Sequence, residues 1–148
     1  MKPTIAILIC CFLVISFSAC KKDDPKPKTK MDLLTASAWK ITDIQYKSGT
    51  GAWQSDPSFA TSPTCQKDDQ LVFKANNTYE FNEGPSKCTA SDPQIFDTGA
   101  WAFQDNETKL LWGSDSFSID ELTETSLIIS ITDATTTPTL SYRIIFAH

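Results

Sequence analysis

The sequence predicts an all-β fold: an eight-stranded antiparallel up-and-down β-barrel preceded by a short N-terminal helical turn. Three observations predict it. From Trp39 onward apolar residues recur with period two, the period of a strand with one buried face. Breaks rich in Gly, Pro, Asn and Asp cut the chain into eight short runs. Most of these breaks are tight, which favours pairing between neighbours in sequence, and about eight strands close a barrel that side chains can fill.

Taken in order, residues 31–35 read as the helical turn and 39–46 as the first strand. A long loop, 47–69, carries Gly49, Gly51, Pro57 and Pro63. Residues 70–74 and 79–82 form a hairpin around Ala75-Asn76-Asn77-Thr78. A second loop, 83–94, holds Gly84, Pro85 and Pro93. Strands follow at 95–103, 109–112, 116–122, 126–132 and 139–147, separated by Asp105-Asn106, Gly113-Ser114-Asp115, Thr123-Glu124 and 134–138. Alternation assigns to the inner face Trp39, Ile41, Leu71, Phe73, Tyr79, Phe81, Trp101, Phe103, Leu110, Trp112, Phe117, Ile119, Leu127, Ile129, Ile131, Leu140, Tyr142, Ile144 and Phe146. Ser116, Ser118, Asp120, Ser130, Ser141 and Arg143 fall outside. Ile44, Val72, Phe96, Leu111, Ile128 and Ile145 are apolar on the outer face and need cover from the tether, the loops or a partner.

The N-terminus is of another kind. Lys2 precedes a thirteen-residue apolar run, 5–17, too short to span a bilayer and suited to the core of a secretion signal. Phe17-Ser18-Ala19-Cys20 then resembles the lipobox of bacterial lipoproteins, with Phe17 where Leu is usual. The resemblance implies that residues 1–19 are a lipoprotein signal peptide. It also implies that Cys20 is lipidated, with a diacylglyceryl thioether and then an N-acyl chain such as palmitate. Several acyl chains make a stable membrane anchor. The alternative is an ordinary secreted protein with an incidental Cys.

Residues 20–31 read as the lipidated Cys and a flexible tether, because 21–30 hold five Lys, two Pro and no hydrophobic residue. Lys21-Lys22-Asp23-Asp24 resembles the export signal of surface lipoproteins in the Bacteroidetes. The expected location is the outer membrane, lipid-anchored, on the periplasmic face or the cell surface.

Residues 32–148 form the single domain and carry seven Lys/Arg against sixteen Asp/Glu, a net −9. Such a domain repels nucleic acid, so no nucleic-acid partner is expected. The sole His, His148, is the last residue, which rules out Ser-His-Asp, Cys-His and multi-His metal chemistry.

Several motifs together point to a family. Ser37-Ala38-Trp39-Lys40-Ile41 after Leu33-Leu34 resembles the Gly-x-Trp start of lipocalins, with Ser37 in place of Gly. Cys65-Gln66-Lys67-Asp68-Asp69 before Leu71-Val72-Phe73 fits, as do Asn77-Thr78-Tyr79, Glu83-Gly84 with Cys88, and Gly99-Ala100-Trp101. The stretch 33–146 is similar to the lipocalin-like domain of Bacteroidetes lipoproteins. This implies a lipocalin-like barrel and leaves the ligand open.

Cys65 and Cys88 sit in loops of an exported chain, which suggests one disulfide; a pair of free thiols is the alternative. Asp68 and Asp69 with Glu83 or Asp92 offer a carboxylate pair or a Ca²⁺ site, but sixteen acidic residues produce such pairs by chance, and solvated loops are favoured. No metal site, cofactor or catalytic residue is expected.

The aromatic residues line a ligand cavity or fill a core. The uncharged inner face favours the core. Trp53 and Phe59, in the long loop, and Trp112, at a strand end, are the candidate ligand or partner contacts. The function expected is a noncatalytic cell-envelope lipoprotein that binds a small apolar molecule or a glycan. The alternative is a protein-interaction or inhibitor module at the cell surface, for which −9 charge would steer a cationic protein.

Overall fold

A computed structural model describes residues 26–148. The expected signal peptide, the expected lipidation site Cys20 and the first residues of the expected tether lie outside the described residues. The chain runs α1 (Lys30–Leu34), β1 (Lys40–Ser48), β2 (Gln54–Ser55), α2 (Pro57–Ala60), α3 (Thr64–Lys67), β3 (Gln70–Phe73), β4 (Thr78–Asn82), β5 (Ile95–Gln104), β6 (Lys109–Trp112), β7 (Asp115–Leu122), β8 (Ser126–Asp133) and β9 (Leu140–Ala147).

All nine strands form one antiparallel sheet in the order β2-β1-β9-β8-β7-β6-β5-β4-β3. The eight expected runs are all strands. The ninth, β2, arises inside the long loop, where Ser55 and Gln54 pair with Gln45 and Tyr46. That loop also folds two short helices. Asp56 caps α2 by accepting from the Ser58 amide, and Pro57 supplies a preset first turn.

The ladder is not closed. Trp39, just before β1, and Leu71 of β3 exchange two backbone hydrogen bonds of 2.9 and 2.8 Å. This bridge joins the curled sheet's two flanks at one point; β2 pairs only with Gln45 and Tyr46 on that edge of β1 and leaves the stretch between unzipped. Turn chemistry matches local sequence. Asn77 adopts φ +64 in the β3–β4 hairpin, a left-handed position that Asn tolerates in place of Gly. Asp105, Asn106 and Glu107 are all left-handed in the β5–β6 turn.

The inner face packs around Trp39, Leu71, Phe73, Trp101, Leu110, Leu127, Ile129 and Phe146, all essentially buried. Each such side chain stabilises the fold by about 1.5–3 kcal/mol through removal from water. Trp112 stands in the middle of the far half. The rings of Phe73, Tyr79, Phe81, Phe117 and Phe146 lie 5.9–6.4 Å from it, mostly edge-on.

One end of the sheet is covered by α1. Thr29 accepts from the Asp32 amide and Asp32 accepts from the Thr29 amide, a capping box that makes this five-residue helix possible. Leu34 is fully buried beneath it, and Trp39 Nε1 donates to the Leu34 carbonyl at 2.8 Å. Lys30 Nζ donates to the Glu107 carbonyl. Lys30 was expected in the tether; the capping box draws it into the fold instead. His148 stacks on Trp39 with centroids 3.9 Å apart and holds Ser37 Oγ at 3.1 Å, so the only His latches the C-terminus to this end.

A second expectation changes on β9. Tyr142, assigned inward, is 42% exposed, whereas Ser141, assigned outward, is buried and bonds Thr132 Oγ1 at 2.9 Å. The long loop is the cause. It lays Trp53 over the outer face between Lys47 and Arg143, next to Ser141, while Tyr142 lies at the end that α1 does not cover.

Candidate functional site

The far end, opposite α1, gathers the two long loops, the β6–β7 turn and the start of β5. Cys65 and Cys88 form a disulfide with Cα atoms 5.2 Å apart, joining the long loop to the β4–β5 loop. Gly84 permits this approach. Its φ is +61, and a Cβ there would fall 2.0 Å from the Asp68 carbonyl oxygen.

A cleft opens at this end because β5 is longer than β6. β6 pairs with β5 over Trp101–Gln104, while the first half of β5 pairs with β4 alone. Gly113, at φ +62, then turns the chain into β7. The resulting cleft of about 260 Å³ is lined by Tyr79, Asp97, Trp112, Gly113, Ser114, Asp115 and Phe117.

The lining combines aromatic faces with fixed polar groups. The Tyr79 hydroxyl donates to Asp97 Oδ2 at 2.9 Å. Burial raises the Tyr79 pKa above its ordinary value, and the Asp97 hydrogen bond and charge push the same way, so the phenol stays protonated and donating. Gly99 makes room for this pair, since a Cβ there would come within 2.7 Å of the Tyr79 ring. Trp112 meets Tyr79 edge-on at 6.0 Å. Two carboxylates, a serine hydroxyl and three aromatic rings therefore face one opening.

A second cleft, about 370 Å³, lies along the unzipped part of the β1 edge. Ile41, Thr42, Asp43, Ser55, Phe59, Ala60 and Lys67 line it. Asp43 is held by Ser55 Oγ at 2.9 Å and Lys67 by the Ala60 carbonyl at 2.9 Å, so its polar groups are engaged among themselves.

The three residues expected to make contacts thus separate. Trp112 lines the far-end cleft and Phe59 the edge cleft. Trp53 lies on the outer face, 4.7 Å from Lys47 Nζ and 4.6 Å from the Arg143 guanidinium. Asp97 was not foreseen. Counting back from Trp101 by twos reaches Gly99 and Asp97, and a Gly beside an Asp inside a strand marks a close approach.

The acidic loop residues do come together. Asp69 is pushed up to about 6, first by burial and then by the charges of Glu83 and Asp68. Asp68 Oδ2 accepts from Ser86 Oγ at 2.5 Å, whereas the Oδ1 atoms of Asp68 and Asp69 are buried without a partner. Among the described residues no group of three or more His, Cys, Asp or Glu is placed to hold a metal ion. Among them, too, no helix is long and apolar enough to cross a membrane. No protein-family model matches the chain, and no curated protein matches it.

Proposed function

We propose that this chain is a noncatalytic cell-envelope lipoprotein whose lipocalin-like barrel binds a small ligand at the end facing away from its lipid anchor. The observation that carries the reading is the far-end cleft, where Tyr79, Trp112 and Phe117 supply ring faces and Asp97, Asp115 and Ser114 supply acceptors. Rings that stack beside carboxylates that accept hydroxyls suit one unit of a glycan better than a purely apolar molecule. In this reading the Trp39–Leu71 bridge is the seam of the barrel and α1 its plug. The tether leaves beside the plug, since Lys28 pairs with Glu124 at 3.1 Å in the β7–β8 turn. The described part of the tether thus lies at the plug end, and the cleft opens at the other. The noncatalytic reading rests on His148 being engaged with Trp39 and Ser37 at the opposite end.

Native mass spectrometry of the full chain purified from its own cells tests this. The expected result is a retained small molecule that Asp97→Asn and Phe117→Ala release and Phe59→Ala does not. A chain that carries no small molecule and shows no tryptophan fluorescence change with glycans or fatty acids would refute it.

A further inference from the structure

The first half of β5 presents an unpaired strand edge. Over Ile95–Gly99 its only ladder among the described residues is to β4, because β6 ends opposite Trp101. The hydrogen-bond directions are fixed by two neighbours. The Trp101 amide donates to Asn77 on the β4 side, and the Ala100 carbonyl accepts from Gly113 on the other side. Stepping back by two turns the N–H and C=O of Thr98 toward the open side. A bulge between Phe81 and Asn82 leaves Phe96 as the extra residue, without a partner in register. Ile95 and Phe96 are 44% and 42% exposed, and Phe96 is propped on Phe81 at 4.7 Å. A surface recess of about 260 Å³ is lined by these four residues alone, Ile95, Phe96, Asp97 and Thr98.

We propose that this edge is a docking site for an extended, lysine- or arginine-bearing segment of a partner protein, which adds to β5 as a further strand. Unpaired backbone groups beside exposed apolar side chains are what strand addition uses. Charge selects the occupant. Asp97 lies in the edge and Asp115 faces it across the cleft, and neither is ion-paired among the described residues. Glu80, across from Thr98, is already neutralised by Lys74. A second copy of the same edge would bring like charges together within a −9 domain, so a basic partner is favoured over self-pairing.

Three synthetic hexapeptides test the proposal on the full-length protein in detergent micelles: acetyl-Lys-Val-Lys-Val-Lys-Val-amide, its Glu-for-Lys counterpart, and the lysine peptide N-methylated at alternate residues. The lysine peptide binds, and amide hydrogen exchange slows at Thr98 and Phe96. N-methylation, which keeps charge and side chains but removes strand donors, weakens binding roughly tenfold or more, as does the Glu peptide. Thr98→Pro weakens the lysine peptide similarly; the methylated peptide makes the same test on the unaltered chain. Equal binding of the methylated or Glu peptide overturns the proposal, as does protection at a site other than β5. No binding of the lysine peptide up to about millimolar, or an edge already protected by a second copy, overturns it too.

Discussion

Replacing Asp69 with Asn stabilises the protein at neutral pH and leaves it unchanged near pH 4. Asp69 titrates at about 6 in the folded chain against an ordinary 3.8 because burial, Glu83 and Asp68 all oppose its charge. An acid with a raised folded pKa is penalised only when ionised. Below about pH 4 both folded and unfolded chains hold the proton and no penalty exists. Stability then falls as pH rises toward 6 and levels off above it. The full shift corresponds to about 3 kcal/mol, and solvent reaching this partly open side chain reduces that to about 1–2 kcal/mol. Urea unfolding of the disulfide-intact protein and of Asp69→Asn, at intervals from about pH 4 to 8, reads the difference directly. The carboxyls of Asp32, Asp56 and Asp133 are lowered by hydrogen bonds from Thr29, Ser58 and Thr135. They contribute stability that is lost on acidification, and they do so equally in both proteins. The difference curve should rise from zero near pH 4 to its plateau near pH 7. A difference independent of pH, or an Asn variant that is less stable at pH 7, would refute the reasoning.

Removing the disulfide with Cys65→Ser and Cys88→Ser frees a loop of sequence separation 23 and should cost about 3 kcal/mol in the same urea assay. Gly99→Ala forces a methyl against the Tyr79 ring. It should cost about 1–3 kcal/mol and abolish ligand retention in the far-end cleft, read by thermal melting and native mass spectrometry. Glu107→Gly relieves the third of three consecutive left-handed residues while leaving the carbonyl that Lys30 bonds. It should raise stability by about 0.5–1 kcal/mol, visible as a higher Tm.

The strands were legible because each carries its own pattern. Tyr79 and Phe81 alternate with Thr78, Glu80 and Asn82, as Phe117 and Ile119 do with Ser116, Ser118 and Asp120, and their packing on the core follows from period two alone. The Cys pair was legible from its loops. The site was only half legible. Trp112 carries a visible signal as a strand-end aromatic, but its cleft depends on β5 outrunning β6, a length mismatch between strands that no single run displays. Asp97 was hidden for the same reason: an acidic residue in an inward register is read as an exception until a neighbouring strand is known to stop short. Trp53 and Phe59 share one loop, yet β2 and α2 send them to different faces. The capping box at Thr29 and Asp32 is local, but a run of Lys and Pro on its N-terminal side masks it as tether.

The pairing of β1 also sets how the chain bears load. β1 begins at the α1 end and runs alongside β9 from Lys40–Ala147 to Ser48–Leu140. Tension applied at the N-terminus, directed away from that end, slides β1 lengthwise against β9 and strains their hydrogen bonds together rather than one after another. Before that happens the five-residue α1 gives way, since its cap and the Lys30–Glu107 bond lie first in line. The helix then acts as a fuse, paying out a few residues of slack while the sheet behind it stays whole.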